Sequence, residues 1–123
     1  MKHLSSDDIK SLHQRLVVLR NQLLDEIDAA QADIRASHEA LEGEVKSGSD
    51  ASELTRFEEL RRAEIAVDER MLNAVSEAER RMNEGLYGTC SVCGGPIATD
   101  RLFALPTATR CASCEDRSVA KMN

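Results

Sequence analysis

The sequence predicts a mainly α fold: a long antiparallel two-helix coiled-coil hairpin, followed by a small four-cysteine module and a short C-terminal helix. Three observations predict it. Apolar residues recur every three or four positions over two long stretches, the period of a helix with one buried stripe. A Gly/Ser-rich segment separates the two stretches. The four cysteines of the 123-residue chain stand as Cys90-x-x-Cys93 and Cys111-x-x-Cys114, all downstream of the apolar stripes. One Tyr, two Phe and no Trp against 31% charged residues leave little bulk for a large globular core, so a helix–helix seam must carry the packing.

The first helix opens at Ser5-Ser6-Asp7-Asp8, which offers N-cap hydroxyls and first-turn acids. Its stripe reads Ile9, Leu12, Leu16, Leu19, Leu23, Ile27, Ala30, Ile34, Leu41 and Val45. The doubled step of four from Leu19 through Leu23 to Ile27 is a stutter, which straightens a supercoil locally. No Gly or Pro interrupts residues 5 to 42, enough for a helix of about 55 Å. Gly43 weakens it, and the segment Lys46-Ser47-Gly48-Ser49-Asp50-Ala51-Ser52 reads as a turn. A second helix is expected from about Ser52 to Asn83, with Phe57, Leu60, Val67, Met71, Val75, Ala78 and Met82 as its apolar stripe. Glu58-Glu59 and Arg61-Arg62 read as a solvated face. Asp50 and Glu53 have capping-box spacing, and Ser52 is itself an N-cap candidate. Residues 1–86 are thus expected to form the hairpin, with its tip at about 46–52 and its seam closed within a monomer.

Residues 87–123 form the second expected unit, after Gly85 and Gly88 end the helix. Two Cys-x-x-Cys pairs seventeen residues apart are the signature of a tetrahedral four-thiolate zinc site. Gly94 and Gly95 after the first pair allow positive φ and close approach of N–H groups to sulfur. Between the pairs, Ile97, Leu102 and Phe103 are expected to pack beside the metal from a small strand pair or an irregular loop. Cys111 opens a helix running through Ala120. With four thiolates available, His3, His13 and His38 are assigned no ligand role. Four protein ligands leave zinc no open position, which makes one ion structural and argues against an enzyme.

No apolar N-terminal stretch resembling a signal peptide follows Met1, and no run is long enough to span a bilayer. A cytoplasmic protein is expected, where reduced thiols bind metal more often than they pair. Net charge is −6, and from Tyr87 onward Arg101, Arg110, Arg117 and Lys121 meet Asp100, Glu115 and Asp116. That balance argues against direct DNA binding and points to a protein partner with basic surface.

The strings Tyr87-Gly88-Thr89-Cys90-Ser91-Val92-Cys93-Gly94 and Arg101-Leu102, with Pro106-Thr107-Ala108-Thr109-Arg110-Cys111-Ala112-Ser113-Cys114, resemble the zinc module of the DksA/TraR family of bacterial transcription regulators. The resemblance implies direct binding to RNA polymerase, with the hairpin inserted into the secondary channel and acidic tip residues near the active site. The family's tip pattern, Asp-x-x-Asp-x-Ala or Ser, falls by ungapped count on residues 47–52. It implies roles for Asp50, Ala51 and Ser52, whereas Ser47 replaces the first acid. Larger relatives use basic side chains to bind the alarmone ppGpp, and the corresponding positions here are Leu105, Glu115 and Ala74, which implies weak or absent ppGpp synergy. Two other readings of the cysteines remain: a thiol-based redox or zinc sensor acting through a protein partner, and a nucleic-acid-binding zinc finger.

Overall fold

The computed structural model describes residues 2–43 and 48–122. Its elements are α1 (Ser6–Gly43), α2 (Gly48–Asn83), α3 (Thr99–Ala104) and α4 (Ala112–Met122). Among the described residues there is no strand, only an isolated antiparallel bridge between Thr89 and Pro96. The chain divides into two compact units: residues 1–20 with 73–123, and residues 21–72.

The start of α1 follows from its sequence. Asp8 N–H donates to Ser5 Oγ at 3.0 Å, and Ser5 N–H donates back to Asp8 Oδ2 at 3.2 Å. This is a reciprocal capping box with Asp in the place usually held by Glu. At the far end of α2, Leu86 N–H reaches Arg81 O at 2.8 Å and Gly85 N–H reaches Met82 O at 3.3 Å. That pair of bonds is a Schellman motif, and it needs a left-handed residue between them. Gly85 supplies it with φ 75°.

The unit of residues 21–72 is a two-helix segment. Leu23, Ile27, Ala30, Ile34 and Ser37 of α1 are buried, so the predicted stripe of α1 holds from Leu23 to Ile34, whereas the Leu41 side chain and Val45 lie outside the described residues. The opposing face of α2 differs from the predicted one. Leu60, Val67 and Met71 are 59%, 46% and 37% exposed, and the half-buried track runs instead through Leu54, Glu58, Arg61, Ile65, Asp68 and Leu72. The spacing of that track is a strict alternation of four and three, the coiled-coil repeat. Three of its six residues are charged, and for that reason an apolar search settles on the neighbouring track. Two of the three charges, Glu58 and Arg61, are matched across the helices. His38 Nε2 lies 2.8 Å from Glu58 Oε1, and Arg61 Nε lies 3.3 Å from Asp33 Oδ2. These pairs run in opposite order along the two helices, which makes them antiparallel. Arg61 also bonds Glu64 at 2.7 Å and stacks over Phe57 at 5.2 Å. Glu58 and Arg61 therefore belong to the seam rather than to a solvated face.

The second helix also begins earlier than expected, at Gly48 rather than Ser52. The first N–H groups of any helix lack intrahelical partners, so glycine costs less there than in an interior. Ser52 consequently lies inside the helix rather than at its N-cap.

The other unit joins the first turns of α1 and the last turns of α2 to the cysteine module. Its core is Leu4, Leu12, Leu16, Val75, Ala78, Tyr87, Ile97, Leu102 and Ala108, all buried. Each fully buried Leu, Ile or Val side chain among them contributes about 1.5–3 kcal/mol. Polar contacts fix the module against the helices. His3 Nε2 lies 2.7 Å from Ile97 O, and Arg15 Nη1 donates to Phe103 O at 2.7 Å while stacking 5.3 Å from its ring; Arg20 pairs with Glu79 between α1 and α2.

Candidate metal centre

Each cysteine pair is placed by a short loop held by backbone hydrogen bonds. Cys90 N–H donates to Gly95 O at 2.8 Å and Gly94 N–H donates to Cys90 O at 3.0 Å, closing the first loop on itself. Gly94 sits at φ 74°, as its position after the pair predicted, whereas Gly95 needs no left-handed backbone. Gly95 instead brings its N–H within 3.4 Å of Cys93 Sγ. The second pair starts α4: Glu115 N–H donates to Cys111 O at 3.0 Å, so Cys111 precedes the helix and Cys114 lies in its first turn. Ser91 N–H to Thr109 O, 2.8 Å, ties the two loops together.

These loops bring all four sulfurs to one point. The Sγ atoms of Cys90, Cys93, Cys111 and Cys114 lie within 4.8 Å of one another, and Cys93 and Cys111 are 3.9 Å apart. A tetrahedral zinc with bonds of about 2.3 Å requires sulfurs about 3.8 Å apart, so the donor set fits that ion. All four are free thiols; Cys90 and Cys114 are buried, Cys111 is half-buried and Cys93 is exposed. Backbone hydrogen bonds from Cys93, then Cys111, hold the Cys90 thiol down at about 5. The hydrogen bond with Cys111, followed by burial, pushes Cys114 up to about 12.

No histidine enters the centre: His3 is engaged with Ile97 and His38 with Glu58. Ile97 and Leu102 are fully buried, as expected, but Leu102 and Phe103 reside on the short helix α3 rather than in a strand pair. Phe103 is half-buried and turns to Arg15. Two contacts near the centre went unread in the sequence. Tyr87 Oη donates to Pro106 O at 2.8 Å, and Arg117 Nη2 lies 3.7 Å from Cys114 Sγ. The second was available in principle, because Cys114 and Arg117 are three apart on one helix face.

At the expected tip, Asp50 and Ala51 stand in the first turn of α2, and the side chain of Asp50 lies outside the described residues, as does Ser47. Ala51 is half-buried and its carbonyl accepts from Thr55 Oγ1 at 2.9 Å; Ser52 is on the exposed side of the helix. Of the three positions read as replacing basic residues, Leu105 is exposed at the end of α3 and Ala74 is half-buried on α2. Glu115 faces Arg110 at 3.6 Å. Among the described residues no helix is long and apolar enough to cross a membrane.

The fold and the centre define a class: helical proteins in which a pair of long helices is joined to a four-thiol zinc module. Residues 85–120 match the prokaryotic dksA/traR C4-type zinc finger. The chain is 31% identical over 80 residues to the RNA polymerase-binding transcription factor DksA of two strains of Caulobacter vibrioides. The matched region covers 63% of this chain and 56% of those relatives, so it spans about half of their length. The fold is also that of transcription factor DksA2 from Pseudomonas aeruginosa, with a TM-score of 0.83 at 21% identity, covering 96% of this chain and 88% of that one. Residues 85–120 thus carry a DksA/TraR C4-type zinc finger, the chain is similar to DksA-like proteins, and the four cysteines fit one structural zinc ion.

Proposed function

We propose that this protein is a transcription regulator that binds bacterial RNA polymerase directly and acts through the tip of its helical hairpin. The observation that carries the reading is the 31% identity to relatives named as RNA polymerase-binding transcription factors; the long paired helices and the C4 finger are consistent with it. Residues 1–86 act as the hairpin and 87–123 as the finger. Cys90, Cys93, Cys111 and Cys114 are the zinc ligands, and zinc bound there supplies a four-point cross-link with no open position for chemistry. The finger is therefore a staple, and the protein is not an enzyme: it alters initiation by binding one state of the polymerase in preference to another.

In this reading the tip enters the secondary channel and presents Asp50, Ala51 and Ser52 near the polymerase active site. A carboxylate there acts electrostatically on nearby cationic groups or on a metal-centred site. Leu105, Glu115 and Ala74 offer no cations to a polyanionic alarmone, so ppGpp synergy is weak or absent. The protein works in the cytoplasm, as a monomer, without sequence-specific DNA contacts of its own. Asp50→Asn tests the role of the tip. The variant is expected to fold and bind polymerase as wild type does while losing regulation of a responsive promoter in a purified transcription assay. Unchanged regulation would remove Asp50 from the mechanism.

A further inference from the structure

We infer that Arg117 is a positioning residue of the zinc centre, screening the charge of the Cys114 thiolate; the inference rests on the four-thiolate ligand set proposed above. Four thiolates around one Zn2+ leave the centre with about two net negative charges. Such a centre holds its metal better when N–H donors share the charge on sulfur. The donors here are distributed unevenly. Cys93 receives the Gly95 N–H at 3.4 Å. Cys114 is buried, and the guanidinium of Arg117 reaches its sulfur at 3.7 Å. The contact follows from the helix: Cys114 and Arg117 are three residues apart on α4, and long helical side chains lean back toward the preceding turn.

Arg110 is the other cation nearby, and it is committed elsewhere. Its Nη1 donates to Ser118 Oγ at 2.7 Å and lies 3.6 Å from Glu115. The groove of about 240 Å³ that Arg110, Arg117, Ser118, Cys114 and Val92 line thus has one guanidinium on a ligand sulfur and one engaged by Ser118 and Glu115. Among the described residues Arg117 is the only charged side chain with an N–H on a sulfur of the centre. Loss of such an outer partner weakens metal binding by about 10–100-fold in general. Arg117 is exposed to water, which places it at the low end, about tenfold.

The test is zinc affinity of the full chain, measured by competition with a chromophoric chelator, alongside the sulfur-to-metal charge-transfer bands of the Co2+-substituted protein. Arg117→Ala is expected to bind zinc about tenfold more weakly, with shifted bands. Arg117→Lys should recover part of both, and Arg117→Gln, which keeps an N–H without the charge and guards against a folding failure of the alanine variant, should weaken binding about threefold. Arg110→Ala should leave affinity and spectrum as in wild type. Equal affinity in wild type and both the Ala and Gln variants would overturn the inference, as would an equal loss in Arg110→Ala, which would mean that only bulk charge matters. Wild-type chain that binds no zinc at all would instead remove the ligand set on which the inference stands.

Discussion

Tyr87 joins the end of the long helices to the second half of the finger, and removing one oxygen atom from it tests how the unit is held together. The side chain is 1% exposed and its hydroxyl donates to Pro106 O at 2.8 Å. Tyr87→Phe keeps the ring packing and leaves the Pro106 carbonyl without that donor. The cost of such a loss is about 1–2 kcal/mol, or a fall of about 3–8 °C in the melting temperature of a chain this size. Tyr87→Ala removes the ring as well and should cost about 3–5 kcal/mol. Alkaline pH gives a second readout, of the burial of the same hydroxyl. Burial pushes the Tyr87 hydroxyl up from 10.0 to about 12, so the folded state resists ionisation that the unfolded chain accepts. The stabilisation is fully present below about pH 10 and is lost as pH rises toward 12. The assay is thermal unfolding of zinc-loaded wild type and Tyr87→Phe from neutral pH to about pH 12. The variant should melt lower at neutral pH and lack this part of the alkaline destabilisation. A melting temperature equal to wild type at neutral pH, with the same alkaline limb, would refute the reasoning.

Two further predictions concern the helices. Leu16 is fully buried and Leu60 is 59% exposed, so Leu16→Ala should cost about 2–5 kcal/mol in chemical denaturation and Leu60→Ala within about 0.5 kcal/mol; a reversed order would contradict the track assigned to α2. Within the seam, Asp68, by its charge and then by a side-chain hydrogen bond, raises the Glu26 carboxyl above its ordinary 4.5. Arg61, Asp33 and Glu64 share that groove. A raised carboxyl contributes stability that is complete below pH 4.5 and is lost as pH rises through the raised value. Asp68→Asn should therefore melt higher than wild type at neutral pH, with the gap closing toward pH 4.5; a gap independent of pH would show that the two carboxylates do not interact.

The features legible in the sequence were those in which one residue type serves one physical need. Ser5 and Asp8 read as a helix start because a hydroxyl and a carboxylate are what orphan N–H groups require. The four cysteines read as one centre because thiolates in that spacing have few other uses in a reduced compartment. The inward face of α2 is hidden because Glu58 and Arg61 hold seam positions through partners on α1, and no partner is visible in a single stretch of sequence. Gly48 reads as part of a turn, although a glycine at the first position of a helix breaks little. Arg117 looked like one more surface charge until the helix placed it over Cys114.

The most direct measurement is a pull-down of purified RNA polymerase by the zinc-loaded chain, repeated with a competitor that occupies the secondary channel. The account predicts binding at close to one chain per polymerase, displaced by the competitor. Failure to bind would contradict the proposed function outright, and binding that the competitor leaves intact would contradict the insertion of the hairpin into the channel.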